Sequence, residues 1–359
     1  MHHFAIPSSF KYIFIALIPT ILGVSGSGTF YAYERIVSMF LVLFGLIIFF
    51  NQKDFTSEDL TKCFEIFVFL GGVFMTLSLS SGRTANGRLV GIYENANFLS
   101  CLACTTMAGT TGLFFYLKGK VRRWVYFAFG VISIMCVIQA GSRIGLAEFL
   151  VYIIFLPFLI QQNRDFGNAF KTTGLLLLII ICLYYAVTHL NILGFNRLLQ
   201  FQRVTGSLYS RGDTWDDVYK IFMAKPIFGW GYGAVGYNVF VNYIGDYHWG
   251  MHSSYFAVLC EMGIYGTLLF IGFFVSYLKS SAKLKKKLVL TGRIQFKQIL
   301  FYRFLLITSL IVFINAYAEA FLFSFGNSMS ICFWLPFVLI SCYLYKVEEE
   351  HCAIGIKNP

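Results

Sequence analysis

The sequence predicts an all-α polytopic membrane protein, and three observations predict it. Of 359 residues, 58% are hydrophobic and only 13% charged, with a mean hydropathy of +0.70. A soluble domain carries about a quarter charged residues, so half that level leaves too little polar surface to coat a water-soluble body. The apolar residues also gather in segments near the ~20 residues that cross a bilayer, and Lys and Arg collect in alternate connections between them. Soluble enzymes, disordered chains, disulfide scaffolds and nucleic-acid binders fit this composition poorly.

About ten spans satisfy the length criterion. They are Phe10–Val24, Ile36–Phe50, Phe64–Ser80, Phe98–Leu117, Trp124–Gln139, Ile144–Ile160, Thr173–Leu190, His252–Leu278, Phe304–Ala318 and Met329–Tyr345. The first two are short. The first is followed by Ser25-Gly26-Ser27-Gly28, which resembles a signal-peptide boundary, but the spans downstream make it a signal anchor in either case. The chain is read as one transmembrane helical bundle over residues 1–359, with residues 191–251 inserted as a large loop between spans seven and eight.

Orientation follows from the basic residues, since cytoplasmic loops collect Lys and Arg. One set of alternate loops holds Lys53, Lys62, Lys118, Lys120, Arg122, Arg123, Arg164 and Lys171, and further along Lys279, Lys283, Lys285, Lys286, Lys287, Arg293, Lys297 and Arg303. That side faces the cytoplasm, and with an even number of spans both termini do too. The net charge of +11 is therefore mainly a topogenic and headgroup signal. Most of the nine cysteines lie in apolar spans, where Cys behaves as a small hydrophobe. Cys101-x-x-Cys104 has metal-like spacing, but no second pair or nearby His completes a site. No metal is expected.

Chemistry is then sought on the outer face, in a moderate loop over Ser81–Asn97 and the large loop over Asn191–Met251. Structureless loops beyond about 15 residues are usually functional. Within the large loop, Asp213–Met223 patterns as a short amphipathic helix with Trp215, Val218, Tyr219 and Phe222 on one face. It is expected to lie at headgroup level. Asp213, Asp216 and Asp217 crowd its first turn, where they suit the helix dipole. They also keep a divalent cation open. Pro226 ends the helix, and Gly229-Trp230-Gly231-Tyr232-Gly233 follows without the strand or Lys-Ser/Thr of a phosphate loop. Those glycines are expected to let the backbone turn tightly against the bundle.

Arg143 sits in the tight turn Gly141-Ser142-Arg143-Ile144-Gly145. Arg211 opens the loop helix, and His252 opens the eighth span. All three fall near one depth on the outer side. Arg binds phosphate oxygens bidentately and stays charged. Neutral His accepts a proton near pH 7, so the three make a diphosphate site with a base. The plain alternatives are headgroup contacts for each Arg and an interfacial role for the His, and His248 is equally available as the base. Glu148 and Glu261 are ionisable residues inside spans, which are costly and usually functional or paired. Glu148 lies five residues from Arg143. Glu261 lies half a turn around its helix from His252, which suits packing or loop anchoring.

These pieces resemble the O-antigen ligase and polymerase family of the WaaL/Wzy type. Ser142-Arg143-Ile144-Gly145-Leu146 is similar to the family's Ser-Arg-Gly segment. Arg211-x-x-x-Trp215, with Pro226-x-x-Gly229-x-Gly231-x-Gly233, resembles its large outer loop. His252-Ser253-Ser254-Tyr255 and then Glu261-x-Gly263-x-x-Gly266 resemble its His-Asn/Ser motif and the helix after it. Asn95-Ala96-Asn97 is similar to an Asn-Pro-Asn start, with Ala where Pro is common.

The resemblance implies a GT-C-like fold and an inverting glycosyl transfer from an undecaprenyl-diphosphate-linked glycan, with no cofactor. It implies that Arg211 and Arg143 neutralise the diphosphate while His252 deprotonates or orients the acceptor. Arg83, Arg88, Asn97, Trp215 and Tyr255 would contact donor or acceptor. Glu148, Glu261, Gly263 and Gly266 would support them. Partners would be the lipid-linked glycan, membrane lipid, and flippase and chain-length regulator proteins, at the bacterial plasma membrane. The family motifs do not separate a polymerase from a ligase to lipid A core. A composition rich in residues with AT-rich codons tilts the reading toward a capsule or exopolysaccharide polymerase. A flippase or transporter is the rival of another class, but polar residues cluster at the outer edge and no internal repeat is evident.

Overall fold

The computed structural model describes residues 9–27, 30–50, 52, 55–161, 167–175, 178, 215–235, 239, 252–324 and 328–357. Its helices are α1 (Phe10–Ser27), α2 (Phe30–Phe50), α3 (Ser57–Ser81), α4 (Ala96–Tyr116), α5 (Lys120–Ala140), α6 (Arg143–Ile160), α7 (Ser254–Leu290), α8 (Phe296–Ala316) and α9 (Ser328–Lys357). Residues 167–175 and 215–224 are also helical. Among the described residues, eight helices are long and apolar enough to cross a membrane, and Phe10–Pro19 is a shorter apolar helix. The chain is an all-α polytopic membrane protein. Most of the span expected over Thr173–Leu190 lies outside the described residues, as does most of the expected loop over residues 191–251.

Several helices run past the segments that hydropathy marks. The third starts at Ser57 because Thr56 caps it: the Thr56 amide and hydroxyl both donate to Asp59 Oδ2, at 3.1 and 2.7 Å, and the Asp59 amide donates back to Thr56 Oγ1 at 3.2 Å. This reciprocal cap satisfies amides that a helix start leaves orphaned. Likewise α7 continues through its basic end to Leu290, where Lys287 pairs with Glu348 of α9 at 2.5 Å. Hydropathy finds the apolar stretch of each helix; capping and ion pairs decide where the helix itself stops.

The chain falls into two compact units. The first comprises Met1–Leu60, Thr205–Arg293 and Ala316–Pro359. Within it α1 and α9 pack on α7, and α2 on α9. Its centre is aromatic: the Tyr277 and Phe337 rings stack at 4.2 Å, and Phe273, Phe274 and the fully buried Trp334 surround them. Such ring pairs add to the large area each aromatic side chain buries.

The second unit comprises Thr61–Val204 and Ile294–Asn315. Here α4 is the central helix and is buried along most of its length, with α5 and α6 against it. Small residues let the helices approach, as membrane helix packing favours. A Cβ on Gly112 would sit 2.7 Å from Phe304 Cβ, and one on Gly145 2.5 Å from Ser100 Cβ.

Candidate functional site

In the second unit, a polar junction forms where the expected outer segments meet. Thr84–Ala85 and Arg88–Leu89 pair as a minimal antiparallel hairpin. Its turn is Asn86-Gly87, with φ of 52° and 72°, as a two-residue hairpin turn demands. The hairpin presents Arg88, whose Nε donates to the Ala140 carbonyl at the end of α5 (2.9 Å) and whose Nη2 donates to Asn97 Oδ1 (2.9 Å). The same oxygen accepts from Ser142 Oγ at 2.8 Å. Ser142 also caps α6, accepting from the Gly145 amide at 3.3 Å, as Asn95 caps α4 through the Asn97 amide at 2.8 Å.

In the Ser142-Arg143-Ile144-Gly145 segment the roles are therefore divided. Ser142 ties the helix start to Asn97, Gly145 permits close approach to α4, and Arg143 is left exposed at the first turn of α6. Asn97→Ala removes the acceptor of two hydrogen bonds, and a cost of about 1–3 kcal/mol is expected. Asn97→Asp keeps an accepting oxygen and should cost less. Thermal melting of the purified protein checks both.

In the first unit, α7 is broken two and a half turns from its start. Gly263 has φ 63° and ψ −170°, backbone essentially closed to residues with a Cβ. A break leaves carbonyls behind it and amides ahead of it unpaired, which is costly where water is absent. The segment after Pro226 supplies both sets of partners. Amides of Trp230 and Gly231 donate to the carbonyls of Cys260 (3.0 Å) and Glu261 (2.8 Å). Amides of Ile264 and Tyr265 donate to the carbonyls of Pro226 (2.9 Å) and Ile227 (3.0 Å). The two backbones touch: a Cβ on Gly229 would lie 2.4 Å from the Glu261 carbonyl oxygen. The expectation that these glycines turn the chain tightly against the bundle is met in this stitch.

Side chains fasten the same stitch. Glu261, buried in α7, accepts from Arg35 Nη1 at 3.4 Å, which ties α7 to α2. The Trp230 indole donates to the Ile221 carbonyl at 2.9 Å, and the Tyr232 hydroxyl to the Phe323 carbonyl. Lys225 sits over the Trp230 ring at 4.1 Å. Over residues 215–224, Asp217, Val218 and Ile221 are buried, and Trp215 packs edge-on against Phe256 (5.8 Å) and Tyr317 (6.1 Å). Tyr219 does not share that face: it is 62% exposed. Val218 and Ile221, three residues apart, are buried, while Trp215 and Phe222 are half-buried.

His252 lies just before α7, exposed, with φ 43°. Left-handed backbone is uncommon for a residue other than Gly, and such strain gathers at functional positions. Behind it, Ser253 Oγ is buried without a hydrogen-bond partner. Ser254 Oγ donates to the Glu319 carbonyl at 2.7 Å and accepts from the Leu322 amide at 3.1 Å, fixing the helix start.

The structure thus brings Arg88, Asn97 and the Ser142-Arg143 turn together in the second unit. In the first unit it brings Trp215 to the opening turn of α7, which carries Tyr255, and it seats Glu261 and Gly263 in the stitch. Gly266 lies one turn on, where a Cβ would meet Met262 Cβ at 2.4 Å. Arg83 has an exposed side chain; its carbonyl accepts from the Val90 and Gly91 amides, and its own amide donates to Ser81 Oγ at 3.4 Å. Arg211 and His248 lie outside the described residues. Sequence reasoning passed over Arg35, Ser142 as a hub, and the hairpin. The Asn86-Gly87 pair was the available signal for the last.

The fold and these helix-end clusters define a polytopic membrane protein with polar chemistry gathered at the ends of its spans. Residues 127–271 match the Wzy_C family model, O-Antigen ligase, which is consistent with the O-antigen ligase/polymerase family. The match covers about two-fifths of the chain. It includes Arg143, Glu148, Arg211, Trp215, His252, Tyr255, Glu261, Gly263 and Gly266, and it leaves out Arg83, Arg88 and Asn97. No curated protein matches the chain.

Proposed function

We propose that the protein polymerises undecaprenyl-diphosphate-linked repeat units by inverting glycosyl transfer on the outer face of the plasma membrane. The observation that carries this reading is the O-antigen ligase match over residues 127–271, which contains Arg143, Arg211 and His252. A glycan on a lipid diphosphate is already activated. The enzyme need only stabilise the leaving diphosphate and position an acceptor hydroxyl.

In this reading Arg211 and Arg143 hold the diphosphate oxygens as negative charge develops on the leaving group. His252 takes the acceptor hydroxyl's proton as that oxygen attacks the anomeric carbon from the opposite face, and the glycosidic bond to the diphosphate breaks. Arg88 and Asn97 brace the Arg143 turn, with Arg83 beside the same hairpin as a further contact for donor or acceptor. Trp215 and Tyr255 offer rings for the sugars. Neither a metal nor a nucleotide sugar enters this scheme. Flippase and chain-length regulator proteins are the partners such a polymerase would work beside.

The lipid-linked glycan of a deletion strain tests the reading, because each activity leaves a different intermediate. Loss of a polymerase leaves single repeat units on the outer leaflet. Loss of a ligase leaves long chains on the lipid carrier, and loss of a flippase leaves repeat units on the inner leaflet. Single outer-leaflet units are the expected result, and either other pattern overturns the polymerase assignment.

A further inference from the structure

The far end of α7 carries a charged stripe that the transfer chemistry does not use. Beyond the break at Gly263, steps of three or four residues trace one line along the helix, and residues so spaced are neighbours on one face. The first half of the line is Ile264, Leu268, Ile271 and Val275, all exposed. In a helix long and apolar enough to cross a membrane, such a face meets lipid chains. The same line then runs through Lys279, Lys283 and Lys286, all exposed, and reaches Leu290, which is 76% exposed. No acidic residue falls on it.

The protein does not neutralise these lysines. Several other cations are engaged by the chain itself: Arg122 pairs with Glu65 at 2.5 Å, Arg123 donates to the Phe114 carbonyl at 2.9 Å, and Arg303 donates to the carbonyls of Leu159 and Gln161 at 2.9 and 2.7 Å. The carboxylates at the end of α9, which packs on α7, are engaged as well. Glu348 holds Lys287, Glu349 holds Lys346, and Glu350 accepts from the Ser57 amide and hydroxyl. Among the described residues, Lys279, Lys283 and Lys286 form no ion pair. Like charges three and four residues apart repel one another, so an anion from outside the chain stabilises the stripe.

The position of the stripe says which anion. It continues a lipid-facing surface, so a ligand held there meets apolar side chains at one end and ammonium groups at the other, as an anionic phospholipid requires. Lysine stems lie along apolar surface while their charges reach the headgroups. From Lys279 to Lys286 the helix rises about 10 Å, comparable with the ~5–8 Å headgroup layer of one leaflet. Exposed Val289 and Leu290 keep the helix end at that interface rather than in bulk water.

We propose that Lys279, Lys283 and Lys286 form a site for one anionic phospholipid. The three ammonium groups hold its phosphate, and its acyl chains lie against the apolar half of the same face. Filling the site neutralises the stripe and fixes the depth at which α7 leaves the membrane. This stands on the α7 surface alone and does not depend on the glycosyl-transfer reading.

Native mass spectrometry of the purified full-length protein tests it, after delipidation in an uncharged detergent. The protein is titrated with phosphatidylglycerol, with phosphatidylcholine, or with water-soluble glycerol phosphate. The wild type should bind phosphatidylglycerol about ten-fold or more tightly than phosphatidylcholine, and should not retain glycerol phosphate, which lacks chains. The variant Lys279→Gln/Lys283→Gln/Lys286→Gln should lose that preference, at about five-fold per lysine. Its lipid-free melting temperature should match or exceed that of the wild type, since exposed Gln keeps the helix and removes repulsion. Lys118→Gln/Lys120→Gln/Lys297→Gln removes the same charge away from the stripe and should keep the preference. Equal binding of the two phospholipids by the wild type overturns the proposal, as does a control that loses the preference as fully as the stripe variant. Glycerol phosphate bound as tightly as phosphatidylglycerol also overturns it, since that marks an anion site open to soluble acidic partners.

Discussion

Replacing His252 with Ala should lower the turnover of lipid-linked glycan by about 10²–10⁴-fold, the range a positioned general base supplies. Arg143→Ala and Arg211→Ala should each lose about 10²–10³-fold, the scale seen when one stabilising donor leaves a transition state. Because the three residues are assigned to one event, the double variant Arg143→Ala/His252→Ala should be little worse than the poorer single one, as groups acting as a unit are strongly non-additive. His248→Ala serves as the contrast: it should retain most activity if His252 is the base. Rates measured on purified protein at saturating donor, together with the lipid-linked products of complemented strains, check all five variants. Losses that multiply in the double variant would show that the residues act separately.

The second large effect is on the stitched break in α7. In Gly263→Ala the new Cβ would lie 2.2 Å from the Ile227 carbonyl oxygen and 2.7 Å from the Gly229 amide nitrogen, at φ 63°. Both obstacles are backbone, so no flexible side chain can give way. The expected cost is on the order of 3 kcal/mol or more, combining backbone strain with the loss of buried hydrogen bonds. The loop should detach from α7, which would appear as new protease cleavage between residues 226 and 235 and a lower melting temperature. Gly45→Ala is the control within α2, where a Cβ meets nothing within 4 Å. It should be neutral or stabilising by about 0.5–1 kcal/mol, since Gly is a poor helix former. If Gly263→Ala melts with the wild type, the stitch is not what holds the loop.

How much of this was legible in the sequence depended on the range of the interaction. Membrane class and most spans follow from hydropathy, a local property, and among the described residues eight of the expected spans stand as helices long and apolar enough to cross a membrane. Helix ends were legible only where the cap is local. Ser142 and Asn95 sit next to the helices they cap, while the Thr56–Asp59 cap extended α3 through a polar turn that hydropathy discounts. Glu261 was expected to serve packing or loop anchoring; its partner Arg35 lies in α2, 226 residues away, and nothing in the spacing links the two. The break at Gly263 was invisible because its hydrogen bonds go to a loop that precedes it by about thirty residues. A Gly-x-x-Gly pattern on an apolar helix signals close packing as readily as a discontinuity.

Glu148 shows the opposite case. Its position inside a span was conspicuous from residue type alone, and Arg143 was the neighbour that sequence distance suggested. The groups that face it come instead from α4 and α8, helices brought to α6 by small residues and packing. Which polar side chains share a buried neighbourhood is a tertiary fact, and the pattern of a single helix does not carry it.

The central claim is that Arg211, Arg143 and His252 act on one lipid-linked diphosphate donor, and a reconstituted reaction tests it most directly. Purified full-length protein is mixed with undecaprenyl-diphosphate-linked repeat units, without nucleotide sugar and with a chelator present, and the glycan is resolved by gel electrophoresis. The wild type should convert single units into a ladder of longer chains, and Arg211→Ala should leave the units as supplied. A ladder of equal length and intensity from Arg211→Ala, or a wild type that elongates only when a nucleotide sugar is added, would contradict the account.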